Sequence, residues 1–375
     1  MSQLAAHHGA VNLGQGFPDF DCDPRLIAFH HEAMLAGHNQ YAPMPGVAAL
    51  RLAIAEKNAA LYGHRHDPEL EITITAGATQ ALMTAFAAFV HPGDEVIVLE
   101  PAYDSYVPAI ELAGGVPVLV PLDAQAGYAP DWERVRAAVS PRTRMLVINF
   151  PHNPSGRCLR EEDLRQLEAL VEETGLLLIS DEVYEHIVFD GRVHRSVMSS
   201  PLLATRSLVV SSFGKTLHTT GWKIGSLCAP AALTAEFRKL HQYTVFAVNT
   251  PAQFASARML TEHPQAWREL SAFYQAKRDA FVAGLAHTPL RLLPCEGTYF
   301  LLADYSAVSE EPEAVFARRL ITDFGVAAIP VSAFYQHARD QRVLRLCFAK
   351  HETTLARALE RLQELKPLCC APRPA

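Results

Sequence analysis

Cysteine is scarce in this chain of 375 residues: there are seven, at positions 22, 158, 228, 295, 347, 369 and 370. The count is odd and no CxxC pair occurs, which excludes a disulfide framework and a zinc knuckle. A cationic excess is missing too. The 33 lysines and arginines face 40 acidic residues, a net charge of −7, so no basic field points to nucleic acid or an anionic membrane. Long apolar runs are absent. The richest stretch, Ala76 to Val90, carries Gly77, Thr79, Gln80 and Thr84 and is too short to span a bilayer. The N-terminus, MSQLAAHHGAVNLGQG, shows no charged region followed by a hydrophobic export segment, so a reducing, cytoplasmic location is expected. What is plentiful is core material. Hydrophobic residues make up 49% and charged ones 19%, which leaves no case for disorder. At about 150 residues per domain, the length allows two or three units.

From Glu71 to Ser211 short apolar runs alternate with helical patterns. The runs are EITIT (71–75), EVIVLE (95–100), VPVLVP (116–121), RMLVINF (144–150), LLLIS (176–180) and SLVVSS (207–212). Between them lie amphipathic stretches such as 161–173, where Leu164, Leu167, Leu170 and Val171 share one face. Strands apolar on both faces and separated by helices belong to a parallel sheet covered on both sides. Turn signals agree, at His91-Pro92-Gly93-Asp94 and Gly114-Gly115. The reading is a doubly wound, mostly parallel α/β core. After Pro230 the pattern changes. Residues 231–286 read as helical, with Trp267, Leu270, Tyr274, Phe281 and Leu285 as a packing stripe. Beyond Arg291, RLLPC, TYFLLAD, VAAIPVS and RVLRLCF with intervening helices predict a smaller α+β domain over 287–375. The expected division is 1–40 as an N-terminal segment joining the small domain and subunit contacts, 41–286 as the large domain, and 287–375 as the small one, ending in a frayed tail, CCAPRPA.

Several motifs fail on inspection. Gly14-Gln15-Gly16 lacks the third glycine and the strand-helix context of a dinucleotide site. His30-His31-Glu32 is not a zinc-protease helix motif. Ser212-Phe213-Gly214-Lys215 matches SxxK, but no SDN or KTG partner exists.

The same segment has another use. Of seven lysines, Lys215 alone follows a buried-type strand in a glycine-containing turn. The carboxyl ends of strands are where open α/β sheets bind ligands, so this amine is placed to form a Schiff base. Taken alone, such a lysine fits a solvated turn better. Asp181 directly follows LLLIS and shares that topological position. A carboxylate there pairs with an N-cap or a cation, or holds a proton on the pyridine nitrogen of pyridoxal phosphate. In PHNPSGR (151–157), a turn by composition, Asn153 adds an amide able to donate to a phenolic oxygen. TITAGATQALMTAF (73–86) runs strand, Gly77, then a helix from about Ala78-Thr79, where backbone N–H groups and the helix dipole suit a phosphate. Ser212 and Lys223 add a hydroxyl and a cation.

With those residues assembled, the chain resembles the fold-type I, pyridoxal-phosphate-dependent aminotransferases. The resemblance rests on NLGQGFPDF (12–20), NQYAPMPG (39–46), ITAGATQAL (74–82), PAYDSYVP (101–108), HNPSG (152–156), SDEVYEHI (180–187), SSFGKT (211–216), GWKIG (221–225) and LRLCFAK (344–350), in the family's order across nearly the whole chain. It is nearest to bacterial methionine aminotransferases, with kynurenine aminotransferase-like enzymes as relatives. The resemblance implies a cytoplasmic homodimer that moves an amino group from methionine or large apolar or aromatic amino acids to a 2-oxo acid. A carbon–sulfur β-lyase on the same fold is the alternative. It implies Lys215 as the Schiff-base lysine, Asp181 on the pyridine nitrogen, Asn153 and Tyr184 on the phenolic oxygen, and Tyr103 stacked on the ring. Ala78, Thr79, Ser212 and Lys223 would hold the phosphate, with Tyr41 from a second subunit. Arg345 would grip the substrate carboxylate beside Gly16, and Phe17 with the neighbour's Phe246 would line an apolar side-chain pocket. Three departures stand out. The family's common NNPTG reads HNPSG, turning His152 toward ring or substrate. Lys223 stands where many members have arginine, and His218 replaces a small or apolar residue.

Overall fold

The computed structural model describes residues 1–337 and 339–368. The expected frayed tail, residues 369–375 with Cys369 and Cys370, lies outside the described residues. The other five cysteines are free. No helix among the described residues is long and apolar enough to cross a membrane.

All six apolar runs are strands of one sheet. After a short β1 (Val11–Asn12) come β2 (Ile72–Thr75), β3 (Glu95–Glu100), β4 (Val116–Pro121), β5 (Thr143–Asn149), β6 (Leu177–Asp181) and β7 (Ser207–Ser212). A seventh strand, β8 (Gly225–Cys228), was not legible as one: four residues, two of them glycine and serine, carry no periodic signal. The order is β2-β8-β7-β6-β5-β3-β4. Strands β4, β3, β5, β6 and β7 pair in parallel, and β8 alone runs antiparallel to both its neighbours, β7 and β2. The expected mostly parallel α/β sheet is therefore correct, with one reversed strand inserted. Residues of β2, β3 and β6 are buried on both faces, because helices cover each side.

The helical stretch after Pro230 is broken into four helices, Ala231–Thr244, Thr250–Glu262, Gln265–Arg268 and Leu270–Leu285. The stripe is buried as expected, though Trp267 belongs to the short helix before Leu270–Leu285. A second, four-stranded sheet follows, built from β9 (Arg291–Leu292), β10 (Phe300–Asp304), β12 (Ile329–Pro330) and β13 (Val343–Cys347) in the order β12-β13-β10-β9. Strand β11 (Val326–Ala327) pairs in parallel with β1. Val11 and Leu13 join the core around this small sheet, whereas Leu26 and Phe29 pack into the core of the large one.

Candidate active site

The large sheet brings its functional residues together by register. Asn149 and Asp181, which close β5 and β6, lie side by side with Val210 of β7, two residues before that strand ends, and Ser212 stands opposite Gly225, itself opposite Thr75. Chain segments leaving these ends enclose a cavity of about 190 Å³. Nine of the expected residues line it. They are Ala78, Thr79, Tyr103, Asn153, Asp181, Tyr184, Ser212, Lys215 and Lys223.

Lys215 sits in the short helix Phe213–Thr216 directly after β7. The turn closes because residue 214 is glycine: a Cβ there would lie 2.9 Å from Thr220 Cα. Burial lowers the amine to about 8, with Arg345 and Lys223 pushing the same way and Asp181 opposing. Its Nζ donates to Tyr299 Oη at 2.8 Å and to the Gly16 carbonyl at 3.1 Å.

Asp181 is 3% exposed. Its Oδ2 accepts from the Tyr106 hydroxyl at 2.6 Å and its backbone carbonyl accepts from Asn149 Nδ2 at 2.9 Å. Burial still raises the carboxyl to about 6, and the Tyr106 hydrogen bond only partly counters it. A carboxylate so isolated favours a cationic partner. Asn149 Oδ1 also accepts from the Asn153 backbone N–H at 3.0 Å, which fixes the turn carrying Asn153.

A group of donors suited to an anion lines the same cavity. Gly77 caps the helix Ala78–Phe89 with φ +77°, in the left-handed region. A Cβ on it would come 3.1 Å from Lys223 Nζ, and a Cβ on Gly225 would press on Ala78 N at 3.0 Å. Glycine at both positions thus lets a free helix N-terminus, a lysine amine and the Ser212 hydroxyl converge on one space. That donor set fits a phosphate group, and the Asp181 carboxylate in the same cavity fits a protonated ring nitrogen.

Arg345, on β13, reaches this site from the small sheet. Its Nη1 donates to Asn153 Oδ1 at 2.7 Å and its Nη2 to the Gly14 carbonyl at 3.0 Å. The guanidinium stacks 3.9 Å from the Phe300 ring centroid, and its buried Nε has no partner. A Cβ on Gly16 would strike the Phe300 ring at 2.8 Å and sit 3.9 Å from Arg345 Nη2, so glycine leaves room beside the guanidinium.

Five expected residues do not line the cavity of this chain: Arg345 and Gly16, which border it through Asn153 and Lys215, and Phe17, Tyr41 and Phe246. Phe17 is 41% exposed, with its carbonyl bonded to Lys350. Tyr41 and Phe246 pack edge-to-face at 5.0 Å elsewhere on the surface. The expectation for His152 is corrected. It is buried with Nδ1 against Ser155 Oγ at 2.6 Å and Nε2 against the Pro101 carbonyl at 3.0 Å, so it braces the loop and does not face the cavity. His218 (φ +56°) packs among Phe20, Phe273 and Tyr274. Sequence reasoning missed Tyr106, Asn149 and Tyr299. An amide closing the apolar run of β5 was a usable signal for Asn149; nothing local marks the other two.

A family model described as aminotransferase class I and II matches residues 9–362. The chain belongs to that family. This aminotransferase is 50% identical over 368 residues to the methionine aminotransferase of Escherichia coli, covering 97% of this chain and 94% of the relative. It is 35% identical to kynurenine–oxoglutarate transaminase 1 of Mus musculus, over 96% and 93% of the two chains. The solved N-succinyldiaminopimelate aminotransferase of Mycobacterium tuberculosis superposes with a TM-score of 0.94 at 42% identity, over 98% of this chain and 96% of that one. The expected methionine- and kynurenine-aminotransferase kinship is therefore correct, and the aminotransferase fold with it. The β-lyase alternative is not favoured.

Proposed function

We propose that this aminotransferase takes the amino group of methionine or another large apolar or aromatic amino acid and passes it to a 2-oxo acid, using pyridoxal 5'-phosphate. The observation that carries the reading is a buried amine, Lys215, and a buried carboxylate, Asp181, lining one cavity with the Gly77–Lys223 cradle. The 50% identity to a methionine aminotransferase supports the donor class. When bound, the cofactor supplies an aldehyde that condenses with amines and a cationic ring that accepts the electron pair left at the α-carbon.

The chain's own residues do the rest. Asp181 keeps a proton on the ring nitrogen, and Asn153 and Tyr184 donate toward the phenolic oxygen. Tyr103 covers the ring face. The N–H groups of Ala78 and Thr79, the Ser212 hydroxyl and the Lys223 amine hold the phosphate. Arg345 grips the substrate α-carboxylate as a planar fork, with Gly16 leaving the space for it. Lys215 Nζ takes the α-proton and returns it one position away, acting as base and then acid. Its lowered pKa suits that double duty near neutral pH. Donor and acceptor occupy the same site in turn, so the kinetics are ping-pong.

We assign Tyr41 and Phe246 to the cavity of a second copy in a homodimer. Tyr41 is 80% exposed and packs edge-on to half-exposed Phe246, which supports their use across an interface. Phe17 completes the apolar wall. The large domain spans 41–286 and the small one 287 onward, with the N-terminal segment tied to the latter through β1.

The test is a donor–acceptor panel on purified holoenzyme, with pyruvate and ammonia followed in parallel. Rapid amino transfer from methionine or an aromatic donor is expected. Release of pyruvate and ammonia from cystathionine, faster than any amino transfer, would overturn the reading.

A further inference from the structure

We propose that Tyr299 is a positioning residue for Lys215, setting the direction in which the lysine amine presents its lone pair. This rests on the reading of Lys215 as the proton carrier. The observation is a closed triangle of hydrogen bonds. Lys215 Nζ donates to Tyr299 Oη at 2.8 Å and to the Gly16 carbonyl at 3.1 Å. The Tyr299 hydroxyl donates to that same carbonyl at 2.7 Å. With its proton committed to Gly16, the phenol oxygen meets the amine as an acceptor. A neutral amine has two N–H bonds and one lone pair. The two acceptors take both N–H bonds, so the lone pair is directed away from them, toward the cavity that Lys215 lines with Asp181 and Asn153.

The phenol cannot swing. Tyr299 has no exposed surface, and its ring is held edge-on by Tyr184 at 5.2 Å and Phe300 at 4.9 Å. The residue before it, Thr298, is β-branched yet adopts φ +63°, a conformation such residues avoid. The acceptor carbonyl is fixed as well. The loop of Gly16 is tied to Arg345 through the Gly14 carbonyl and to Lys350 through that of Phe17. The amine and the carboxylate clamp are thereby referenced to one short piece of backbone. The amine also faces Asp181, Arg345, Lys223 and Cys347, and stands 5.6 Å from the Tyr184 ring centroid. All of these persist when Tyr299 alone is changed.

Tyr299→Phe removes the oxygen and little volume, and two readouts follow. In the cofactor-free protein, the rate at which fluorodinitrobenzene arylates Lys215, read by peptide mass across pH, reports the amine's titration. Losing an acceptor disfavours the ammonium more than the amine, so the variant titrates about one pH unit lower. In the holoenzyme, kcat falls about tenfold while KM for the donor stays within about threefold, because orientation is felt in the transition state. Tyr274→Phe is the control: that ring is fully buried 5.6 Å from Tyr299 and its hydroxyl has no partner, so both readouts stay at wild-type values. Should Tyr299→Phe not fold, 3-fluorotyrosine at position 299 weakens the acceptor while keeping the shape, and shifts the titration the same way by less. An unchanged labelling titration, with or without a fall in kcat, overturns the proposal, as does an equal shift in Tyr274→Phe. If the wild-type holoenzyme transfers no amino group from any donor, the functional reading fails, and the labelling titration still decides the role of Tyr299.

Discussion

The Tyr106 hydroxyl donates to Asp181 Oδ2 at 2.6 Å inside the protein, yet this bond does not offset the isolation of the carboxylate. Burial holds the Asp181 carboxyl near 6, above its ordinary 3.8. The folded state therefore binds this proton more tightly than the unfolded chain does. Its contribution to stability is present below about pH 4 and is lost as pH rises through 6.

Asp181→Asn should consequently make the cofactor-free protein more stable at pH 8, by roughly 2–3 kcal/mol, with no gain at pH 4. Denaturant melts at the two pH values check this. The same variant should lose activity about a hundredfold or more, since a neutral amide cannot hold a proton on a ring nitrogen. A site that is destabilised on its own and effective when filled is the expected trade.

Arg345 tests the carboxylate clamp. Its fork already spans Asn153 and Gly14 at 2.7 and 3.0 Å. Arg345→Lys keeps the charge and loses the second prong, so KM for the amino acid should rise about a hundredfold, with kcat changed less. A KM within twofold of wild type would contradict the assignment.

Gly77→Ala probes the cradle. The backbone there is left-handed, and the new methyl would meet Lys223 Nζ at 3.1 Å. Cofactor affinity, measured by spectral titration, should drop about tenfold or more. Lys223→Ala should weaken it comparably, and the double variant less than additively, because the two residues share one contact.

His152 gives the opposite pattern. Burial holds its ring near 4, below the ordinary 6.5, so the folded state excludes the proton. That contribution is present at pH 7 and is lost as pH falls from about 6.5 through 4. His66, His218 and His241 are held near 4 for the same reason, so stability should decline steeply over that range. His152→Asn should flatten part of this decline, cost about 1–2 kcal/mol at pH 7, and leave kcat within about threefold. A large loss of kcat would return His152 to the site.

Much of this was legible in the residue order. The runs LLLIS and SLVVSS lead directly into polar residues where a parallel strand must stop, which marked Asp181, Ser212 and Lys215 as neighbours on one edge. Gly77 before a helix marked in the same way a helix N-terminus that lines this cavity. Strand β8 escaped because its four residues gain their place from β2 and β7 and not from their own hydrophobicity. The direction His152 faces escaped too, since a ring's orientation depends on Pro101 and Ser155 closing around it.

By itself, the sequence determined the six apolar strands of the large sheet, the helices between them and the polar residues that follow β6 and β7, because periodicity and strand-end polarity report local burial. Only the tertiary structure decided that Gly16, Lys215 and Tyr299 form one triangle, that Tyr106 braces Asp181, and that Arg345 meets Asn153. Those pairs lie far apart along the chain, and their contact depends on how two sheets and a loop are packed against each other, which no local pattern encodes.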